Sequence, residues 1–346
     1  MKNLEKKIFS VFSLDKNIGG ISSMIELSTS VMSKRAKKIN LFLIKRSDTE
    51  KFLSNSLYKK KNVEIFKLTT FERYLFKIGF LKSKYTKHLN SSDIIFIHNT
   101  KIFKYLWHYK LLKPIILFFH TDKKKQIYDI KKIKKVFTVN TNTKKIINNI
   151  YGNYKAVCLP NCIDIRNKKY LFKQINNKLV LGTIGRLVEK KGFLYLINVI
   201  KSMRNIELHI AGDGPLLSKL KDNAKGYRNI KFLGWIKNKE SFFKNIDIFC
   251  CPSKIEPFGL VILEAMSNSV PVISTKCKGP MDIIDNMKNG ILVNIDNYEE
   301  MKNSIILLQG NKTLRKKISK NAFKTLKKKY SIEVYEKNFF SEIAKI

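Results

Sequence analysis

One pattern repeats along most of this chain: a short unbroken apolar run, then a stretch with helical amphipathic spacing. In the first half the runs are Ile8–Phe12, Asn40–Ile44, Val63–Lys67, Asp93–Ile97, Ile115–Phe119 and Val136–Val139, with helical spacing over Ile21–Met32 and Lys101–Leu112. The pattern lapses over Ile165–Lys178, which is charged and has no clear period. It restarts with Leu179–Ile184, Glu207–Ala211, Asn229–Leu233, Ile246–Cys250, Pro271–Ser274 and Gly290–Val293, interleaved with Gly192–Met203, Leu216–Ala224, Leu260–Ser267 and Met301–Leu308. Two helix-like stretches, about 312–329 and 332–344, close the chain. Parallel strands buried on both faces read as continuous apolar runs, and strand–helix alternation marks a doubly wound parallel sheet. The expected fold is α/β with two such halves and the ligand at the carboxyl ends of the strands. The expected boundaries are an N-terminal domain over 1–165, a linker over 166–178, a second domain over 179–330 and a closing helix over 331–346.

Composition limits the partners. With 346 residues the chain can fill two cores, and its 23 Phe, 14 Tyr and 44 % hydrophobic content exclude a disordered basic tail. Its 68 Lys and Arg outweigh 27 Asp and Glu, a formal charge of +41. The surplus is 28 in residues 1–180 and 13 in residues 181–346. An anionic partner of the N-terminal half is one source of this surplus: a phosphate-rich lipid head group, a membrane surface or a nucleic acid. AT-rich codon usage, favouring Lys, Asn and Ile, is the other, though it explains the scarcity of carboxylates less well. Five cysteines without a C-x-x-C pair fit a reduced, cytoplasmic chain. Ile8–Leu14 is read as a first strand rather than a signal peptide. No apolar window reaches 18 residues, so any bilayer contact is expected to be peripheral.

The second half carries the stronger chemical signals. Gly182-Thr-Ile-Gly185-Arg186-Leu-Val-Glu-Lys-Lys191-Gly192 follows a strand and opens a helix. A glycine turn with two cations at a helix N-terminus suits a diphosphate, Arg186 offering a planar fork and Lys191 a point charge. Read alone, the segment is equally an ordinary loop with solvated lysines. In Ser253-Lys-Ile-Glu256-Pro-Phe258-Gly259-Leu260-Val-Ile-Leu-Glu264-Ala, the two glutamates are expected near one face of a helix starting at Pro257–Gly259. That helix start offers free N–H groups to an anion. Glu264, flanked by Leu263, Ala265 and Met266, needs hydroxyl or amide partners, and a ribose diol would supply them.

Together with Ala211-Gly-Asp-Gly-Pro215, Phe232-Leu-Gly-Trp235, Val270-Pro-Val-Ile273 and Asn289-Gly-Ile-Leu-Val293, the E-P-F-G-L-x-x-x-E stretch resembles the retaining GT-B glycosyltransferases of family 4, "glycosyl transferases group 1". The motifs keep the family's order and cover most of 180–294. The first half matches less tightly. Gly19-Gly20-Ile21 resembles the glycine loop that approaches the donor phosphate or the acceptor. His120 ends a buried strand, where the family often has a histidine facing the transferred sugar. Leu159-Pro-Asn-Cys162-Ile-Asp164 resembles the segment before the linker, with Cys162 in place of Gly. His98 also closes a strand, and a lone histidine there is more often structural.

The resemblance implies a GT-B fold of two Rossmann-like domains facing across a cleft, the closing helix packing back on the first. It also implies transfer of a hexose or N-acetylhexosamine, with anomeric retention, from a nucleoside-diphosphate sugar (UDP preferred) to a hydroxyl. Arg186, Lys191, Gly185 and the helix start Phe258-Gly259-Leu260 would hold the diphosphate, and Glu264 the ribose. Glu256 and His120 would contact the donor sugar, with Asp122 as a further candidate. No Asp-x-Asp motif occurs, so neither metal nor cofactor is expected. A front-face route, in which the leaving phosphate takes the acceptor proton, needs no enzyme base. The basic first half, with lysines and aromatics interleaved in Phe71–Lys87 and Lys101–Lys113, suits an anionic glycolipid or lipopolysaccharide-type acceptor on the inner face of the cytoplasmic membrane. Gly279-Pro280 with Asp282-Ile-Ile284 resembles transferases of bacterial surface polysaccharides. A UDP-N-acetylglucosamine 2-epimerase shares the fold and is the rival enzyme. A nucleic-acid binder ranks below both, since no recognised nucleic-acid motif appears.

Overall fold

The computed structural model describes residues 4–14, 18–109, 113–120, 133–152, 155–175 and 178–346. The chain divides into two compact units, Met1–Pro160 with Glu336–Ile346, and Asn161–Tyr335. Each is built on one wholly parallel sheet with helices on its connections.

The first unit's sheet contains β1 (Ile8–Phe12), β2 (Lys38–Ile44), β3 (Val63–Leu68), β4 (Ile94–Ile97), β5 (Ile115–Phe119), β6 (Lys135–Thr138) and β7 (Ala156–Cys158), in the order β3-β2-β1-β4-β5-β6-β7. Every residue of β4 and β5 is buried, which is why these strands read as unbroken apolar runs. Aromatic rings fill the space beside the sheet: Phe12 stacks on Phe42 with centroids 4.4 Å apart and rings 6° from parallel. From Glu336 onward the last helix, Ile332–Ile343, also belongs to this unit, and Phe339 packs against Phe96, Phe118 and Phe137.

The second sheet contains β8 (Leu179–Ile184), β9 (Ile206–Ala211), β10 (Ile230–Gly234), β11 (Ile248–Cys251), β12 (Val272–Thr275) and β13 (Ile291–Val293), in the order β10-β9-β8-β11-β12-β13. The stretch expected as a linker is fastened to this unit: Leu171 donates its backbone N–H to Ser269 Oγ at 3.0 Å, and Lys173 pairs with Asp247 at 2.9 Å. The helix expected over Lys101–Leu112 spans Thr100–Leu106 and continues as a 3-10 turn to Tyr109; residues 110–112 lie outside the described residues.

The two strand orders locate the chemistry. In each sheet the chain winds outward one way from its first strand and then reverses, between β1 and β4 and between β8 and β11. Loops leaving the carboxyl ends of such a strand pair diverge and leave a crevice, the usual ligand position in a doubly wound sheet. Gly19 and Gly20 follow β1 and His98 follows β4. Gly185–Lys191 follow β8 and Ser253–Gly259 follow β11.

Candidate active site

In the second unit, backbone hydrogen bonds carry the chain past the end of β8. Gly185 N–H donates to Ala211 O at 3.0 Å and Leu187 N–H to Asp213 O at 2.9 Å, which ties the Gly-Arg-Leu loop to the Ala-Gly-Asp-Gly-Pro loop. A 3-10 turn, Glu189–Lys191, follows and ends at Gly192 with φ +69°. A Cβ at Gly192 would lie 1.9 Å from the Pro252 carbonyl oxygen, so the loop after β11 approaches in a way only glycine permits. Lys254 and Ile255 both donate backbone N–H groups to Lys190 O, at 2.8 and 3.2 Å. The loops from the two strand ends are thereby joined.

That junction brings Lys191 Nζ to 2.5 Å from Glu256 Oε2. Burial works against the Lys191 charge, but the Glu256 carboxylate outweighs it, with smaller help from Cys251 and Cys277, and the ammonium is held above its usual range. Glu256 Oε1 takes no hydrogen bond among the described residues, although Glu256 is only 9 % exposed. Arg186 is exposed, and its guanidinium makes no ion pair among the described residues. It is the cation of this set without a protein anion.

The helix expected from Pro257 begins at Leu260 and runs to Ser267. Gly259 is its N-cap at φ +107°, a left-handed residue that turns the chain before the first helical N–H. The two glutamates therefore do not share a helix face: Glu256 precedes the helix and pairs with Lys191, while Glu264 lies on it. The turn is held from below by Gly279, whose N–H donates to Glu256 O at 3.0 Å. A Cβ there would come within 2.4 Å of Phe258 backbone atoms. Phe258 itself is buried. The surroundings of Glu264 are less apolar than its sequence neighbours implied: Oε1 accepts from Lys239 at 2.7 Å. Glu264 Oε2 is buried and has no hydrogen-bond partner among the described residues. A carboxylate oxygen in that condition is poised for a donor from outside the chain.

In the first unit, Gly19 caps the helix Gly20–Met32, its N–H donating to Ser22 Oγ at 2.7 Å. Its φ is −177°, extended backbone open to any residue, and a Cβ there would meet nothing within 4 Å. The chain's own packing does not require glycine here; the open space beside the backbone is what its absent side chain leaves. Gly20 is likewise exposed.

His120 follows β5 and His98 follows the adjacent β4, and the two side chains meet: His98 Nδ1 lies 2.9 Å from His120 Nε2. His98 is 5 % exposed and lies against Phe118 with centroids 4.7 Å apart and rings 7° from parallel. Burial pushes His120 down to about 4; burial and the neighbouring His120 hold His98 well below the ordinary histidine range. The sequence reads His98 as a lone strand-end histidine, more often structural, and the structure pairs it with His120. The available signal was that both histidines end consecutive buried runs; those runs are neighbouring strands, with Ile97 opposite Leu117. Lys239, the partner of Glu264, left no such signal. Asp122 lies outside the described residues. Cys162, standing where the resembled segment has glycine, is buried and adopts no positive φ. Among the described residues no cluster of three His, Cys, Asp or Glu side chains could hold a metal ion, and no helix is long and apolar enough to cross a membrane.

Residues 166–325 match the model of the family "Glycosyl transferases group 1". The lipopolysaccharide core biosynthesis glycosyltransferase LpsE of Rhizobium meliloti is 31 % identical over 157 residues, which cover 44 % of this chain and 46 % of that protein. The chain spans about half the length of the curated relatives it matches. Among solved structures, Anabaena Alr3699/HepE in complex with UDP and glucose superposes with a TM-score of 0.83 at 17 % identity, covering 99 % of this chain and 100 % of that one. The lipopolysaccharide outer core galactosyltransferase WaaB superposes with a TM-score of 0.76 at 19 % identity, covering 98 % and 100 %. The fold is thus two parallel-sheet α/β domains of the GT-B type.

Proposed function

We propose that this chain is a retaining glycosyltransferase of family 4 that moves a hexose or N-acetylhexosamine from a UDP-sugar to a hydroxyl of a lipid-linked or lipopolysaccharide-type glycan. The observation that carries the reading is the reversal point of the second sheet. There Arg186, the Lys191–Glu256 pair, the helix start at Leu260 and the partnerless Glu264 Oε2 collect at adjoining strand ends. A nucleoside diphosphate matches that set group by group. Arg186 and the N–H groups after Gly259 meet phosphate oxygens. Glu264 Oε2 accepts from a ribose hydroxyl, and Glu256 Oε1 from a hydroxyl of the sugar. The 2-epimerase reading shares the nucleotide but leaves the match to the transferase family model over 166–325 unused.

The chemistry asked of the site is the departure of a diphosphate from an oxocarbenium-like centre. Fixed cations and helix N–H groups stabilise the charge that develops on the leaving oxygen without reorganising. In the front-face route the acceptor hydroxyl forms the new glycosidic bond on the face the diphosphate leaves. Its proton passes to the departing phosphate oxygen, so configuration is kept and no protein base is used. Resident cations in the site make a divalent metal unnecessary. Incubating the protein with UDP-sugars and a lipid-linked glycan in EDTA tests the reading: labelled sugar must reach the acceptor, and epimerised free donor in its place would support the isomerase.

The acceptor side is proposed to meet an anionic membrane surface. On the helix Thr70–Lys77 and just after it, Phe71, Tyr74 and Ile78 recur at i, i+3 and i+7 and are exposed, as is Phe80. Phe71 and Phe80 are 66 % and 71 % exposed, unusual for rings of that size. Arg73 and Lys77 intersperse them, and Lys82, just beyond, pairs with Glu72 at 3.3 Å; aromatic rings between cations suit the head-group layer of an anionic bilayer. In co-sedimentation with phosphatidylglycerol vesicles, Phe71→Ser with Phe80→Ser is expected to weaken binding about a hundredfold or more, with roughly 1.5–3 kcal/mol lost per ring kept from the bilayer. Binding equal to wild type would move the docking surface elsewhere.

A further inference from the structure

We propose that His98 is a positioning residue: its Nδ1–H donates to His120 Nε2 and thereby fixes His120 as the tautomer that carries its proton on Nδ1. The inference rests on the proposed reading only in giving His120 a substrate to face; the tautomer itself follows from geometry.

The two rings are 5° from parallel with centroids 5.2 Å apart. That separation is about what two imidazole radii and a 2.9 Å N···N contact make end to end, so the rings lie edge to edge and nearly coplanar rather than face to face. A nitrogen lone pair lies in the ring plane, so this arrangement makes a straight hydrogen bond. Phe118 covers one face of His98 and fixes its plane.

Both rings are neutral at ordinary pH, so each carries one proton and the bond has two possible directions. If His120 donated, His98 would have to carry its proton on Nε2. That atom is buried and has no hydrogen-bond partner among the described residues. A buried N–H without an acceptor is the rarer defect in folded proteins, whereas an unfilled acceptor is better tolerated. The favoured direction therefore puts the His98 proton on Nδ1 and leaves only a lone pair on its Nε2. His120 must then accept at Nε2 and keep its own proton on Nδ1.

The functional consequence is specific. With its single lone pair engaged by His98, His120 faces outward only as a hydrogen-bond donor and cannot abstract a proton. A donor at that place would meet a sugar oxygen, and the acceptor hydroxyl would have to give its proton to the departing phosphate.

Long-range ¹H–¹⁵N correlation on the full ¹⁵N-labelled chain reads the tautomer directly. The His120 signals, identified by their loss in His120→Gln, are expected to show Nδ1 protonated and Nε2 bare. Protonation of His120 at Nε2 in the wild-type spectrum overturns the proposal, whatever reaction the protein catalyses. In His98→Phe the Nε2 of His120 loses its donor and the tautomers are expected to mix, while His98→Asn, which retains a donor, is expected to restore the Nδ1-protonated form. An unchanged spectrum in a folded His98→Phe protein also contradicts it. On the proposed transfer, His98→Phe is expected to lower kcat about tenfold with little change in KM, and His98→Asn to recover most of it. If the spectra behave as expected and no transfer is found, the functional reading fails and the tautomer assignment stands.

Discussion

Lys191→Ala is expected to lower turnover by about 10²-fold or more, because it removes a fixed cation from the place where diphosphate charge develops. The same substitution leaves the Glu256 carboxylate without its 2.5 Å partner in a site where it is 9 % exposed. Removing one partner of a buried ion pair in this way costs about 3–5 kcal/mol of stability. The two effects separate in a double variant. Lys191→Ala with Glu256→Gln removes the orphaned charge, so thermal stability is expected to return toward wild type while turnover stays low. Full recovery of both would make the pair a purely structural clamp between the loops after β8 and β11. Arg186→Ala is expected to lower turnover comparably with almost no change in stability, since Arg186 is exposed and holds no ion pair among the described residues. Near-normal rates in both single variants would place the phosphate elsewhere.

Glu264→Ala is expected to weaken binding of a UDP-sugar by about 10- to 150-fold, the range set by roughly 1.5–3 kcal/mol for a hydrogen bond to a charged group. The assignment depends on Oε2, buried and partnerless among the described residues, more than on Oε1, which Lys239 already engages. The Lys239 pair is half-exposed and contributes at most about 1 kcal/mol, so Lys239→Ala serves as the control and is expected to change donor affinity little. Calorimetric titration with UDP checks both variants. Unchanged affinity in Glu264→Ala removes the ribose assignment, and equal losses in both variants make Lys239 the group that matters.

Apolar runs made most of the fold legible. β1, β5 and β8 begin and end where the runs do, because strands buried on both faces must be apolar throughout. What escaped was polar or short. β7 is only Ala156–Cys158, too brief to stand out beside the loop that follows. The helices Asp48–Leu57 and Thr70–Lys77 are short, yet their starts are written in the chain: Ser47 accepts from Glu50 N–H, and Thr69 and Glu72 cap each other. In the site, the eight-residue step from Glu256 to Glu264 suggested a shared helix face, and the left-handed turn at Gly259 separates them instead. The Lys191–Glu256 and Glu264–Lys239 pairs depend on which loops adjoin in space, and local sequence spacing does not encode that. The His98–His120 pair was half legible, as two strand ends whose adjacency only the sheet order reveals.

The most direct single measurement is transfer followed to its product. The protein is incubated in EDTA with a labelled UDP-hexose or UDP-N-acetylhexosamine and a lipid-linked glycan, and the new anomeric linkage is read by NMR before any equilibration. The expected result is sugar joined to the acceptor with the donor's α configuration kept. A β linkage would exclude the retaining front-face route, a strict requirement for divalent metal would contradict catalysis by the Arg186 and Lys191 site alone, and epimerised donor without transfer would overturn the glycosyltransferase reading.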